Sequence, residues 1–285
     1  MLAVQTDADG QPSLIDLPAP QPATDECLFH PKLLTLDGAA VGTLGDDSGG
    51  RFCVEPHVPC GACDLCAGGL PAHCRAPRDS GIRLAEQLAV PSASLVPIPD
   101  DVPDDLAILA GPVATALQAQ RRLAAAPGDF VTVVGTGVLA ALMTHLLHSE
   151  NPATRLLSAD ADARRWVEQR GIRTRPPAEA EPLGDQAAVV ATDATGAQLA
   201  IELARPRGTV VLTRSATPPP SGRVIEAELT LAGARHTSLA EALARLRPGG
   251  RLDLAGLTAR PAPLRDVARL LRAALGTLPT PLLKP

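Results

Sequence analysis

The chain has 285 residues and a formal net charge of −5, from 26 Lys and Arg against 31 Asp and Glu. That length can bury a substantial core and sets two domains as the expectation, while the acidic balance excludes the basic footprint of a nucleic-acid binder. The aromatic residues are Phe29, Phe52, Phe130 and Trp166, with no Tyr, so base-stacking platforms are excluded as well.

The first hundred residues read as short strands broken by Pro and Gly: Leu2–Gln5, Leu14–Leu17, Cys27–Leu36, Arg51–Val54, Ala85–Val90 and Leu95–Ile98. Irregular short strands of this kind suit an antiparallel, barrel-like domain. From about Leu106 the texture changes. A helix from Asp105 to Leu123 leads through Pro127-Gly128-Asp129 into the strand Phe130–Val134, a turn at Gly135-Thr-Gly137 and a helix to about His148. The same rhythm continues with strand Leu156–Ser158, helix Ala163–Arg170, strand Ala187–Thr192, helix Ala197–Ala204 and strand Thr209–Leu212. Strands alternating with helices indicate a parallel sheet wrapped by crossovers. Two helices, Ser238–Leu246 and Leu264–Leu275, and a short strand near Leu282–Lys284 close the chain.

The longest apolar stretch, Val131 to Leu147, is interrupted by Gly135 and Gly137 and reads as strand, turn and helix, not as a membrane span. The opening residues meet acid almost at once and lack the form of a secretory leader. A cytoplasmic globular protein is the expectation.

Four cysteines fall in one short stretch: Cys60-Gly-Ala-Cys63-Asp-Leu-Cys66, then Cys74. Two-residue gaps let a loop present successive sulfurs to one centre, and the longer arm supplies the fourth corner of a tetrahedron. A closed four-thiolate shell leaves no position for water or substrate, so zinc held there is structural. Two disulfides or four unrelated thiols are the alternatives, and a cytosolic setting favours metal over disulfides. Cys27 and Cys53 lie outside the cluster and read as buried small hydrophobes.

The turn Gly135-Thr136-Gly137-Val138-Leu139-Ala140 ends an apolar strand and opens a helix. Glycines there let backbone amides approach a pyrophosphate, the helix N-terminus offers free N–H groups, and Ala140 is small enough to keep helix and strand close. The pattern predicts binding of a nicotinamide dinucleotide. Which one is left open. Asp160 at the end of the second strand would take the ribose hydroxyls of NAD, whereas Ser158 there, with Arg164 or Arg165 free for a 2′-phosphate, would suit NADP. All four could equally be solvated surface residues.

Together these features resemble the zinc-containing alcohol dehydrogenases of the medium-chain dehydrogenase/reductase superfamily. Gly50-Arg-Phe-Cys-Val-Glu-Pro56 and the cysteine run resemble that family's structural-zinc lobe and its approach, and Leu84-Ala-Glu-Gln-Leu-Ala-Val-Pro91 resembles the strand leading out of the barrel. Pro127-Gly-Asp-Phe-Val-Thr-Val-Val-Gly135, Asp193-Ala-Thr195-Gly196 and Glu228-Leu-Thr-Leu-Ala-Gly233 match its cofactor-domain phrases in order. The resemblance implies an α/β fold: a Rossmann-like doubly wound parallel sheet with a trimmed GroES-like antiparallel β-barrel and a zinc lobe at about 57–76. The implied division is 1–106 for the barrel, 107–245 for the nucleotide domain and 246–285 for a segment returning to the first. It also implies one structural zinc, NAD or NADP, a small-molecule substrate, no nucleic-acid or membrane partner, and a homodimer through an edge strand near Leu229–Ala232.

The departures are as informative. Leu33-Leu-Thr-Leu-Asp37 occupies the place of the family's first catalytic-zinc ligand, with Leu34 where the cysteine belongs and Leu36 where a hydroxyl would relay a proton. The family's Gly-His-Glu motif is missing between Asp37 and Gly50, and Gly111 stands where an acidic or thiol residue is common. The expectation is a hydride-transferring oxidoreductase with structural zinc and no catalytic zinc. A homologue that has lost the activity is its rival. His57, Thr35 and Asp37 are the candidates for replacing the missing Lewis acid, with His30 behind them. His145 and His148 are expected to face solvent or a dimer partner, and His73 to support the zinc loop.

Overall fold

The computed structural model describes residues 1–6, 12–45, 50–81, 83–123, 125–126, 128–214, 221–235, 238–249, 252–274 and 278–285. Pro127 and Leu275, each part of an expected element, lie outside them. Nine strands come from the first hundred residues: β1 (Leu2–Thr6), β2 (Pro12–Asp16), β3 (Glu26–Thr35), β4 (Ala40–Leu44), β5 (Arg51–Val54), β6 (His57–Val58), β7 (Arg78–Asp79), β8 (Leu88–Pro91) and β9 (Leu95–Pro97). Six follow in alternation with helices: β10 (Val131–Val134), β11 (Thr154–Leu157), β12 (Arg173–Arg175), β13 (Gln186–Ala191), β14 (Ala204–Leu212) and β15 (Thr230–Gly233). The last two are β16 (Ala262–Pro263) and β17 (Leu282–Lys284).

β10 to β15 form one parallel sheet in the order β12-β11-β10-β13-β14-β15. Every residue of β10 and β13 is buried, as strands covered on both faces by crossover helices must be. The order reverses between β10 and β13, and in open parallel sheets ligands bind beyond the strand C-termini at such a switch point. The glycine turn leaves β10 there.

The second large sheet is mixed, in the order β16-β17-β3-β4-β5-β9, with β8 also on β3. The ten-residue β3 carries it: its first half pairs with β8, its end with β17, and its other edge with β4. The C-terminal chain thus returns to the strands of the first hundred residues, Leu282 lying opposite Thr35. β4 was not expected. Its Gly42 reads in sequence as a breaker, yet it is required in the strand, because a Cβ there would lie 2.1 Å from the His30 carbonyl oxygen beside a bulge in β3.

The expected helix Asp105–Leu123 is two helices, Asp104–Ala107 and Ala110–Arg122. Pro112 explains the break. It has no N–H to give to a turn behind it, so the chain restarts at Ala110 and Pro112 falls in the new helix's first turn. Besides β4, the short strands β6, β7 and β16, the polar edge strand β12 and the helices Asp64–Ala67 and Ser221–Glu226 went unpredicted. No helix among the described residues is long and apolar enough to cross a membrane.

One core joins the two sheets. Leu33, Val41, Cys53 and Ile98 pack with Ala107–Ala110, Val113, Val131 and Leu282 in a single buried cluster. A second, around Phe29, Leu34, Val90 and Leu283, fills the mixed sheet's other side. The segment after residue 252 is pinned by the helix Ala161–Glu168: Trp166 Nε1 donates to the Ala255 carbonyl at 2.7 Å, and the Arg170 guanidinium lies 3.5 Å above the Trp166 ring while pairing with Asp253 at 3.0 Å.

Candidate functional site

The cysteine loop rises from the two-stranded ladder of β6 and β7. Cys63 precedes the short helix Asp64–Ala67, and Gly61 and Gly69 take positive φ where the loop reverses. All four Sγ atoms, of Cys60, Cys63, Cys66 and Cys74, lie within 4.8 Å of one another. Cys63 and Cys74 Sγ are 4.0 Å apart, about the 3.8 Å edge of a tetrahedron built on 2.3 Å zinc–sulfur bonds and well beyond a disulfide of about 2.05 Å. None of the four is in a disulfide.

Arg75 clamps the loop's two arms, donating to both Asp64 carboxylate oxygens at 2.7 and 2.8 Å, so the residue after Cys74 is tied to the residue after Cys63. The N–H groups of Arg75 and Cys66 hold the Cys63 thiol down at about 6. The Cys60 N–H, 3.2 Å from Cys74 Sγ, likewise lowers Cys74, whereas burial, joined by the neighbouring Cys63 sulfur, pushes Cys66 up to about 12. Oriented N–H donors that favour thiolate are what a metal-binding sulfur cluster needs. The donor set and spacing fit one zinc with no open position. Among the described residues, no other group of three or more His, Cys, Asp or Glu brings its ligand atoms this close together.

The glycine turn is built by close contact. Gly135 has φ +149°, and a Cβ on it would lie 1.9 Å from the Thr192 hydroxyl at the end of β13. Thr192 is 3% exposed, and its Oγ1 has no hydrogen-bond partner. Thr136 Oγ1 donates to Asp193 Oδ2 at 3.1 Å, while Asp193 Oδ1 accepts from the Gly196 N–H and the Thr195 hydroxyl, both at 2.8 Å. The turns after β10 and β13 therefore lean on each other. The helix Gly137–Glu150 starts immediately, with Val138 and Leu139 N–H groups that have no intrahelical acceptor and with Ala140 fully buried beneath. An orphaned hydroxyl, a glycine packed against it and a helix N-terminus meet at the switch point, and the free N–H groups there suit phosphate oxygens.

At the end of β11 the structure separates two residues that sequence left competing. Ser158 follows the strand directly and is fully buried. Asp160 is the N-cap of the helix Ala161–Glu168: its Oδ1 accepts from the N–H groups of Asp162 and Ala163, and its Oδ2 from the Gly137 N–H at 3.2 Å. Arg164 Nη1 donates to the Ser158 carbonyl at 2.5 Å.

The proposed catalytic groups lie elsewhere. Thr35 and Asp37 form the reversal between β3 and β4, where the Thr35 hydroxyl donates to Asp37 and accepts the Ala39 N–H at 2.9 Å. Leu34 is fully buried in the mixed sheet's core, and Gly111 sits in the first turn of the helix Ala110–Arg122 with open space beside it. His57 is exposed at the foot of the cysteine loop, opposite Asp79, and His73 is exposed in the loop itself. His30 is half-buried in β3, opposite Thr43. His145 is half-buried: it packs edge-on to Trp166, 5.6 Å between ring centres, and accepts the Asp253 N–H at 3.2 Å. Its half-buried neighbour His148 has a buried Nδ1 without a partner. Sequence reasoning missed Thr192 and Glu55. Glu55 is half-buried, so its carboxyl is raised, and it accepts the Leu239 N–H at 2.9 Å across the two sheets' boundary. Thr192 closes the expected strand Ala187–Thr192 and Glu55 lies in the Gly50–Pro56 phrase, but no spacing in either marks these contacts.

Comparisons with known proteins follow the same division. No family model matches the chain. An L-threonine 3-dehydrogenase of Mesorhizobium japonicum is 34% identical over 109 residues, 34% of this chain and 31% of that protein. The Stenotrophomonas maltophilia L-threonine 3-dehydrogenase is 32% identical over 105 residues, again 31% of its length. The chain thus matches under a third of these curated relatives. Solved structures align along the whole chain. A Sinorhizobium meliloti protein bound to NADP gives a TM-score of 0.82 at 21% identity, covering 100% of this chain and 99% of its own. An Escherichia coli alcohol dehydrogenase complexed with NADH gives 0.83 at 19%, with the same coverage, and an alcohol dehydrogenase from a Thermus species gives 0.83 at 20%, covering both chains fully. Likenesses of this extent and identity establish the fold: a Rossmann-type parallel sheet joined to a GroES-like barrel.

Proposed function

We propose that the chain is a medium-chain dehydrogenase/reductase homologue that binds NAD or NADP at the Gly135–Gly137 turn, holds one structural zinc on Cys60, Cys63, Cys66 and Cys74, and transfers hydride to or from a small carbonyl, alcohol or conjugated enone without a catalytic zinc. We divide it at about residues 106 and 245, place it in the cytoplasm and take it to be a homodimer through β15. The carrying observation is the junction of Gly135, the unpartnered Thr192 hydroxyl and the helix N-terminus at the switch point. When bound, the nicotinamide cofactor supplies or accepts a hydride at its ring carbon, one substrate carbon being reduced as the cofactor is oxidised, or the reverse. This chain's residues bind and orient. Val138 and Leu139 N–H groups would receive pyrophosphate oxygens, the buried Thr192 hydroxyl holds Gly135 close, and Thr136, held by Asp193, fixes the turn. Zinc in the thiolate cage would tie the loop together and offset part of the charge of its thiolates.

A second reading, a nucleotide-binding homologue without catalysis, is favoured by one observation: Thr35 and Asp37 spend their polar groups on each other and on Ala39. Label transfer from 4-deuterated NADH and NADPH to a panel of ketones, aldehydes and enones tests the choice. Stereospecific incorporation supports the oxidoreductase. Binding of either cofactor, seen as quenching of Trp166 fluorescence, with no transfer to any acceptor supports the second reading. Metal analysis should return about one zinc per chain, and two would overturn the account of the site.

A further inference from the structure

We infer that the nucleotide taken at this turn is the one carrying a 2′-phosphate on its adenosine ribose, with Arg164 as the residue that selects it. This rests on the nucleotide reading above and asks which member of the cofactor pair the site fits. Three observations carry it.

The carboxylate that could receive a ribose diol is already engaged. Asp160 Oδ1 accepts two backbone N–H groups at 2.9 and 3.1 Å and Oδ2 a third from Gly137, so binding hydroxyls there would uncap one helix or detach the turn from the next. Directly after β11 stands Ser158, a small neutral side chain whose hydroxyl accepts the Asp160 N–H at 3.1 Å. No negative charge stands at that position to repel a phosphate.

A cation reaches the same spot. Arg164 reaches back from its helix to the Ser158 carbonyl with one nitrogen, which leaves further guanidinium donors, and it has no carboxylate partner among the described residues. Asp162, the other acid nearby, is paired with Arg165 at 2.6 Å. A planar guanidinium held at a strand end suits a dianionic phosphate and offers nothing particular to a diol.

The test is paired titration of the wild-type protein with NADPH and NADH, followed by competition with 2′,5′-ADP, 3′,5′-ADP and 5′-ADP. NADPH is expected to bind about ten- to a hundredfold more tightly, as charge-assisted hydrogen bonds to one phosphate allow. Only 2′,5′-ADP should compete well, and an equal effect of 3′,5′-ADP would point to a coenzyme A-type ligand and overturn the assignment. Arg164→Gln should remove most of the preference while leaving NADH binding within about twofold. Equal or tighter NADH binding, or an equal loss for both cofactors in the variant, sinks the inference. If neither nucleotide binds, the nucleotide site itself is wrong and this proposal falls with it. The wild-type competition stands even if the variant misfolds.

Discussion

The cysteine loop and the β3–β4 hairpin are both short chain reversals, and they use their polar groups in opposite ways. In the loop, four sulfurs converge with backbone N–H groups and an Arg75–Asp64 clamp around them, and no further His, Cys, Asp or Glu among the described residues joins them. In the hairpin, the Thr35 hydroxyl, the Asp37 carboxylate and the Ala39 N–H complete one another. A place prepared for a ligand leaves converging groups short of partners, whereas a purely structural turn consumes its own. By that criterion the glycine turn, with its orphaned Thr192 hydroxyl, belongs with the loop.

Breaking the loop should have the largest effect. Cys63→Ser, or treatment with a strong chelator, is expected to bring zinc from about one per chain to near zero and to lower the melting temperature by about 5 °C or more. Amide exchange should rise across residues 60–75 and change little in β10 and β13, whose strands are buried away from the loop. Unchanged melting with full metal loss would mean that the clamp alone holds the loop.

The glycine turn comes next. Gly135→Ala places a Cβ on the Thr192 hydroxyl in backbone that disfavours any side chain, and should destabilise by roughly 2–4 kcal/mol and abolish nucleotide binding. Adding Thr192→Ala removes the clash and leaves the strain, so the double variant should be more stable than Gly135→Ala alone. Denaturant melts of the four proteins measure that coupling, and strict additivity would show that the close approach is not what requires glycine.

The comparison also marks what sequence could disclose. The parallel sheet was legible because β10 and β13 are short, mostly apolar runs between turn signals, and the cysteine loop because its ligands lie close along the chain. β4 was hidden by Gly42, whose purpose depends on where the His30 carbonyl comes to lie. β12 was hidden because Arg173-Thr-Arg175 has no apolar face. The competition between Ser158 and Asp160 could not be resolved from spacing, because capping by Asp160 depends on where the helix begins and on the approach of Gly137. Pairing of Thr35 with Asp37 is likewise a matter of turn geometry that residue types do not encode.

A smaller effect is expected at the hairpin. Thr35→Val removes a donor and an acceptor from a turn that satisfies itself, and should destabilise by about 1 kcal/mol. Nucleotide affinity should stay within twofold, since Thr35 touches nothing at the glycine turn. If deuterium transfer is found in the wild type and this variant loses it while keeping its affinity, Thr35 has a role beyond the turn and the contrast drawn above fails at its weaker end.

His145 tests the criterion itself, because it too has an unpartnered buried atom, Nδ1, in a place with no converging donors around it. Its Nε2 accepts the Asp253 N–H, its ring meets Trp166, and burial, with Arg170 close by, lowers its pKa below the usual 6.5. A histidine depressed in the folded state binds fewer protons there than in the unfolded chain. Its contribution is therefore complete above pH 6.5 and is lost as pH falls from that value through the lower folded one. Urea melts between pH 8 and pH 5 should show stability declining in that window, and His145→Gln should flatten the decline at the expense of a lower plateau near pH 8. An unchanged slope would place the titration on other groups. Zinc content and nucleotide affinity should be the same in this variant at pH 8, for here the orphaned nitrogen reflects packing of the chain after residue 252, and an orphan marks a ligand site only where other donors converge with it.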